Sequence, residues 1–146
     1  MPKKISKNAE LAWTGMVATT GLLVGHVEAA LKQAGLPPLS WYDVLLEVER
    51  AGPEGIRPFE IKERLLLPQY GTSRLLKRLA EAGYVAAADC EEDGRGQIVT
   101  ITETGKAIRQ RMWPIYAEAL HAMVQTKLTD AEAEQLALLL AKLRNP

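Results

Sequence analysis

Cysteine is almost missing from this chain of 146 residues, and Cys90 is the single example. One thiol cannot form a disulfide within the chain. A cysteine-ligated zinc site is excluded too, because such sites take several Cys and His at fixed spacings. A reducing, cytoplasmic setting is the expectation. Histidine is nearly as scarce, with only His26 and His121, and no His, Cys and carboxylate cluster has metal-ligand spacing. Neither a metal nor another cofactor is expected. Net charge is absent as well, since 18 Lys and Arg balance 18 Asp and Glu. A globally basic nucleic-acid binder is therefore excluded, and any contact with phosphate must come from a local patch. No Gly-rich phosphate loop and no Gly-x-Ser-x-Gly turn is present, so no enzyme is expected.

A long apolar run is also lacking. Lys3, Lys4 and Lys7 precede an uncharged stretch from Leu11 to Gly25, which has the outline of a targeting leader. Thr14, Gly15, Thr19, Thr20 and Gly21 interrupt it, and it is too short and too polar to cross a bilayer. Its order is helical instead. Trp13, Val17, Thr20, Val24, Val27 and Leu31 recur at steps of three and four, a broad apolar stripe.

What is present is an ordinary globular mixture, 47% hydrophobic and 25% charged, suited to a single domain over 1–146. The first helix is expected from Asn8 to Gln33. After the Leu36-Pro37-Pro38-Leu39 breaker, Ser40 with Asp43 reads as a capping box opening a second helix that ends at Ala51-Gly52-Pro53. Glu54 to Arg57 is a short extended or turn piece. Pro58 suits the first turn of a third helix reaching about Leu66. Pro68 breaks it and starts a fourth, running to Ala82 and stopping at Gly83. Two strands follow, Tyr84 to Cys90 and Gln97 to Thr102, around a polar tip from Glu91 to Gly96. Thr102 caps a fifth helix running to Met123, where Pro114 should kink or interrupt the pattern. Thr129-Asp130-Ala131-Glu132 is a capping box for a last helix carrying Leu136, Leu139, Leu140 and Leu143.

The fold class is mainly α, an α+β winged helix. A helix-turn-helix with a two-stranded wing occupies about 39–105. Helices at 8–34 and 102–146 flank it. Those outer helices have too little chain to cover both their apolar faces, and burial against a second copy is the simplest solution.

Turned by about 100° per residue, the fourth helix separates two faces. Leu75, Leu79, Thr72, Leu76 and Ala82 form the core side. Gln69, Tyr70, Ser73, Arg74 and Lys77 form the other. Exposed Gln, Ser and Arg near a helix start are what base edges require: Arg forks onto guanine, Gln pairs with adenine, and Ser serves either. From Arg57 to Arg78 six cations face two carboxylates, a local charge of +4. From Leu79 to Asp93 every charge is negative. This segregation is the footprint of a DNA-reading face. Arg95, between Gly94 and Gly96, could enter a minor groove from the wing tip, with Asp93 steadying its guanidinium. The alternative is a winged-helix protein–protein interaction module, with Tyr70 and the same helix face docking onto a protein.

The chain resembles the MarR family of dimeric winged-helix transcriptional regulators. The resemblance rests on Ser40 to Val48, Glu60-Ile61, Ser73 to Leu79, Gly83-Tyr84-Val85, Asp93-Gly94-Arg95 and Ile101-Thr102-Glu103-Thr104-Gly105. The Asp-x-Arg and Ile-Thr-x-x-Gly pieces at family spacing are its most specific part. It implies a homodimer built from the first, fifth and sixth helices, with recognition helices in successive major grooves of double-stranded DNA. Gln69, Tyr70, Ser73, Arg74, Lys77 and Arg78 would contact DNA, and Arg95 would be the wing arginine. The chain departs from the family pattern in Ala86-Ala87-Ala88 after the Gly-x-Val turn, in Gly94 where an arginine is common, and in Glu91 and Glu92. Family members are often ligand-relieved repressors. A small-molecule effector, aromatic or phenolic, would have Trp13, His26, Trp41 and Tyr42 as candidate contacts. Cys90, beside Asp89 and Glu91, has neighbours that disfavour a thiolate and hence a redox role.

Overall fold

The structure, a computed structural model, describes residues 1–66, 71–89 and 96–145. In chain order the elements are α1 (Lys7–Gln33), α2 (Leu39–Ala51), a single 3-10 turn (Gly52–Glu54), α3 (Pro58–Arg64), α4 (Thr72–Glu81), β1 (Val85–Asp89), β2 (Gln97–Ile101), α5 (Glu103–Leu120), a π-helical turn (His121–Gln125) and α6 (Asp130–Arg144). The expected winged-helix order is reproduced. The chain divides into two compact units, residues 31–115 and residues 1–30 with 116–146.

The 31–115 unit closes around its own core. Val44, Leu45 and Val48 of α2 are buried with Ile61 of α3, Leu79 of α4, Val99 of β2 and Met112 of α5. Full burial of such side chains contributes about 1.5–3 kcal/mol each. The strands pair antiparallel from Val85 opposite Ile101 to Asp89 opposite Gln97. Ile56 adds a bridge on the far side of β2, exchanging both backbone hydrogen bonds with Val99 at 2.9 and 2.8 Å. The short extended piece before α3 is thus part of the sheet.

The start of α5 is tied to the end of α4 by Thr102. Its hydroxyl donates to the Gly83 carbonyl at 2.6 Å and accepts from the Gly105 N–H at 3.0 Å, while its own N–H donates to the Tyr84 carbonyl at 3.1 Å. Gly105 packs so closely that an added Cβ would collide with the Tyr84 carbonyl oxygen. The Ile-Thr-x-x-Gly pattern therefore has a local physical cause: a hydroxyl that can donate and accept at once, then a residue with no side chain.

The 1–30 and 116–146 unit is helical and open. Along α1 the apolar stripe runs from exposed Trp13 and Val17 to Val27, which is buried. On α6, Leu136, Leu138, Leu139 and Leu143 are all exposed. The Thr129 capping box forms as expected: the Thr129 N–H donates to Glu132 at 2.9 Å and the Glu132 N–H donates to the Thr129 hydroxyl at 3.1 Å. Among the described residues, no helix is long and apolar enough to cross a membrane.

Several expectations are corrected. Helix α2 begins at Leu39 after Pro38, with no side-chain cap, so Ser40 is already inside it. Asp43 does not close a capping box; its carboxylate accepts from the Leu66 N–H at 2.9 Å. That bond also explains why α3 stops at Arg64 rather than Leu66. Leu65 turns extended, at φ −65° and ψ 138°, and the Leu66 N–H is used by Asp43 instead of a helical carbonyl. Helix α4 starts at Thr72 rather than Pro68, because Gly71 holds φ 85°, a left-handed conformation that no α-helix interior accepts. Ala82, expected in the core, caps the helix end and is exposed. Pro114 does not interrupt α5, which runs on to Leu120. A proline deletes one N–H, so it leaves the Gln110 carbonyl without its helical donor while the turns on either side retain theirs. The α-helix then gives way to the π-helical turn before Met123.

Candidate nucleic-acid interface

Helix α4 is strongly two-faced. Thr72, Leu75, Leu76 and Leu79 are buried, and burying them leaves Ser73, Arg74, Lys77 and Arg78 exposed. The side chains expected to read DNA are thus held outward by apolar packing on the opposite face of the same ten-residue helix. Gly71 opens the helix without a side-chain cap, and its carbonyl accepts the Arg74 and Leu75 N–H groups at 3.0 and 3.1 Å. Gln69, Tyr70 and Arg95 lie outside the described residues, as do Cys90, Glu91, Glu92, Asp93 and Gly94.

Beside this face lies a groove of about 430 Å³. Ser73 and Lys77 form one wall, Gln97 and Ala87 of the wing stand opposite, and Val85 and Val99 line it. Pro58, at the start of α3, contributes to it as well. The outer positions of β1 are small: Ala86, Ala87 and Ala88 are all exposed. No cation stands on that strand; the cations of 57–78 are Arg57 just ahead of α3, Lys62 and Arg64 on α3, and Arg74, Lys77 and Arg78 on α4. On α3, Arg64 is partly neutralised by Glu60 at 3.8 Å.

The four candidate effector contacts are placed differently. Trp13 and His26 are exposed on α1. Trp41 and Tyr42 are neighbours on α2 and point about 100° apart. Trp41 meets Tyr84 edge-on, with centroids 6.0 Å apart and planes at 73°. Tyr42 is buried and stacks on Trp113 of α5 at 6.3 Å and 21°, with the Arg109 guanidinium 6.0 Å from its ring centroid. Arg109 forms an ion pair with Glu49 of α2. Burial works to lower the Arg109 pKa, but the hydrogen bonds and charges of Glu49 and Tyr42 outweigh it and hold the guanidinium above its ordinary value. This cluster escaped the sequence reading. The available signal was Arg109 and Trp113 at a spacing of four on α5, which places both on one helix face.

A MarR-family domain model matches residues 34–96. That range contains α2, α3, α4 and β1 and ends just before β2. Residues 34–96 are thus similar to a MarR-family domain. MarR of Escherichia coli is 32% identical over 87 residues, 60% of each chain. An HTH-type transcriptional regulator of Bacillus cereus is 28% identical over 101 residues, 69% of this chain and 65% of its own length. The match thus spans about two-thirds of that relative. A MarR family regulator of Streptomyces coelicolor, solved in complex with DNA, superposes with a TM-score of 0.87 at 22% identity, over 98% of this chain and 89% of that one. The fold shared with that structure therefore extends beyond residues 34–96 to both flanking helical regions.

Proposed function

We propose that the chain is a sequence-specific, double-stranded-DNA-binding transcriptional regulator that acts as a homodimer on a pseudo-palindromic operator. The observation that carries this reading is the outward set of Ser73, Arg74, Lys77 and Arg78 on a helix whose other face is core. Gln69, Tyr70 and Arg95 complete the proposed contacts by sequence position. Hydrogen bonds from Ser and Arg suit base edges, and Lys77 and Arg78 suit phosphate. The exposed apolar residues of α1 and α6 support self-association. The whole chain serves as one MarR-like domain in this reading, with 39–105 binding DNA and the flanking helices forming the dimer.

The regulator is further proposed to be a cytoplasmic repressor relieved by a small aromatic or phenolic effector. Trp13, His26, Trp41 and Tyr42 remain its candidate contacts. Tyr42 is favoured by its place under Arg109 and Trp113, where an entering aromatic anion would meet both a cation and a ring. Selection of bound duplexes from a random pool tests the DNA reading. The expected product is a dyad with half-sites about one helical turn apart, bound with an affinity that falls steeply with salt. A pool that shows no enrichment at low ionic strength would overturn it.

A further inference from the structure

We infer that Asp43 is a positioning residue for the DNA-reading helix, an inference that rests on the reading of α4 given above. Asp43 lies on α2 and is 5% exposed, between Tyr42 and Val44, which are also buried. A carboxylate in such a place costs free energy unless donors meet it. Helix α2 makes no use of it as a cap. Its Oδ2 instead accepts the N–H of Leu66, 23 residues along the chain, at 2.9 Å.

Leu66 is a telling place for that bond. The chain has just left α3 through the extended Leu65, and the connector to α4 begins here. Gly71, the first described residue after it, holds a left-handed conformation and accepts the Arg74 and Leu75 N–H groups. A directional feature therefore stands at Leu66 and another at Gly71. By contrast, α4 itself is held on its buried face by Leu75, Leu76 and Leu79, contacts that carry none of the directionality of a hydrogen bond. Ser73 and Arg74 stand in the first turn, immediately after Gly71. A shift of the chain at Leu66 or Gly71 would reach this first turn before the rest of α4, and bidentate base recognition depends on placement. Contacts with phosphate tolerate such a slip much better, because they carry no sequence information. Asp43 thereby contributes to the difference between specific and non-specific DNA, through the helix it steadies and without touching DNA itself.

The test compares the affinity of the full-length protein for its selected operator with its affinity for a scrambled duplex, at one salt concentration. Asp43→Ala is expected to lose about tenfold or more on the operator and within about twofold on the scrambled duplex. Asp43→Asn keeps an oxygen acceptor for the Leu66 N–H and is expected to restore most of the ratio. Leu66→Pro removes the donor instead, and Leu65 already holds the backbone conformation that a following proline requires. It is expected to reproduce the Asp43→Ala ratio, and the double variant should lose little more than either alone. Leu66→Pro carries the decision if Asp43→Ala does not fold. Equal losses on both duplexes, tracking a fall in thermal midpoint, would reduce Asp43 to a stabilising residue and overturn the inference. Unchanged discrimination in Asp43→Ala would do the same. Failure of the wild-type protein to select any sequence would instead sink the DNA reading itself.

Discussion

The two compact units of this chain treat their apolar residues in opposite ways. In the 31–115 unit, Val44, Leu45, Val48, Ile61, Leu79, Val99 and Met112 are sealed from water by one another. In the other unit, Leu11, Trp13, Val17 and Leu22 of α1 and Leu136, Leu138, Leu139 and Leu143 of α6 remain exposed. Among the described residues, its buried hydrophobic side chains are Val27 and Ala119. One unit satisfies the hydrophobic effect within a single chain. The other has the amphipathic pattern without the second surface that such a pattern requires.

The sharpest way to break this contrast is to make the open unit polar. Leu139→Glu with Leu143→Glu places two charges on one face of α6. In a symmetric dimer each substitution counts twice, so the loss is expected to exceed about 6 kcal/mol of association free energy. Such a loss weakens association by about ten-thousandfold or more, so sedimentation should give a monomer where the unsubstituted chain gives a dimer, with the near-ultraviolet signal of the 31–115 unit retained. A variant that still sediments as a dimer would remove α6 from the seam.

The closed unit is broken most directly at its tightest contact. Gly105→Ala drives a methyl into the Tyr84 carbonyl, with an expected cost of about 3 kcal/mol in urea unfolding. An unchanged urea midpoint would mean that the α4–α5 tie is slack. A functional probe of the same unit is Arg74→Ala, expected to cost about 2 kcal/mol on the selected operator and to relax preference at one base pair. A uniform loss across all sequences would make Arg74 a phosphate contact instead.

The smallest effect returns to the open unit. Hydrogen bonds from the Thr129 backbone N–H and then its hydroxyl hold the Glu132 carboxyl below its ordinary pKa. A carboxyl depressed in the folded state stabilises it above the unfolded value of about 4.3 and loses that contribution as pH falls through the lower folded value. Acidification should therefore fray the start of α6, read from the Thr129 and Glu132 amide shifts. Glu132→Gln should abolish that pH dependence, and a persistent titration would assign it to another group.

How legible each unit was follows from the kind of signal involved. The helices α1, α2, α5 and α6 could be read because their apolar residues repeat over many turns, and the Thr129 box because its chemistry is local. The wing was legible through alternation in Gln97 to Ile101. The outward residues of α4 followed from helical angle alone. Asp43 was misread because a capping box and a long-range acceptor use the same residue type, and Leu66 is too distant for any local rule to find. The left-handed turn at Gly71 is not legible in the sequence, because neither glycine nor the residues around it reveal the sign of φ. Tyr42 was singled out, but its ring and ion-pair neighbours come from α5, more than 60 positions onward.

The packing of Gly105 has a consequence for how this sequence can vary. A coding change at that position adds at least one carbon, and the first carbon is the one that has no room. Gly83 and Gly35 are different, since nothing stands within 4 Å of an added Cβ and only the backbone torsion resists replacement. Position 105 is therefore closed to neutral drift: a chain that changes it must first move the carbonyl of Tyr84, and with it the turn that follows α4. The order of change is imposed by geometry, second site before first.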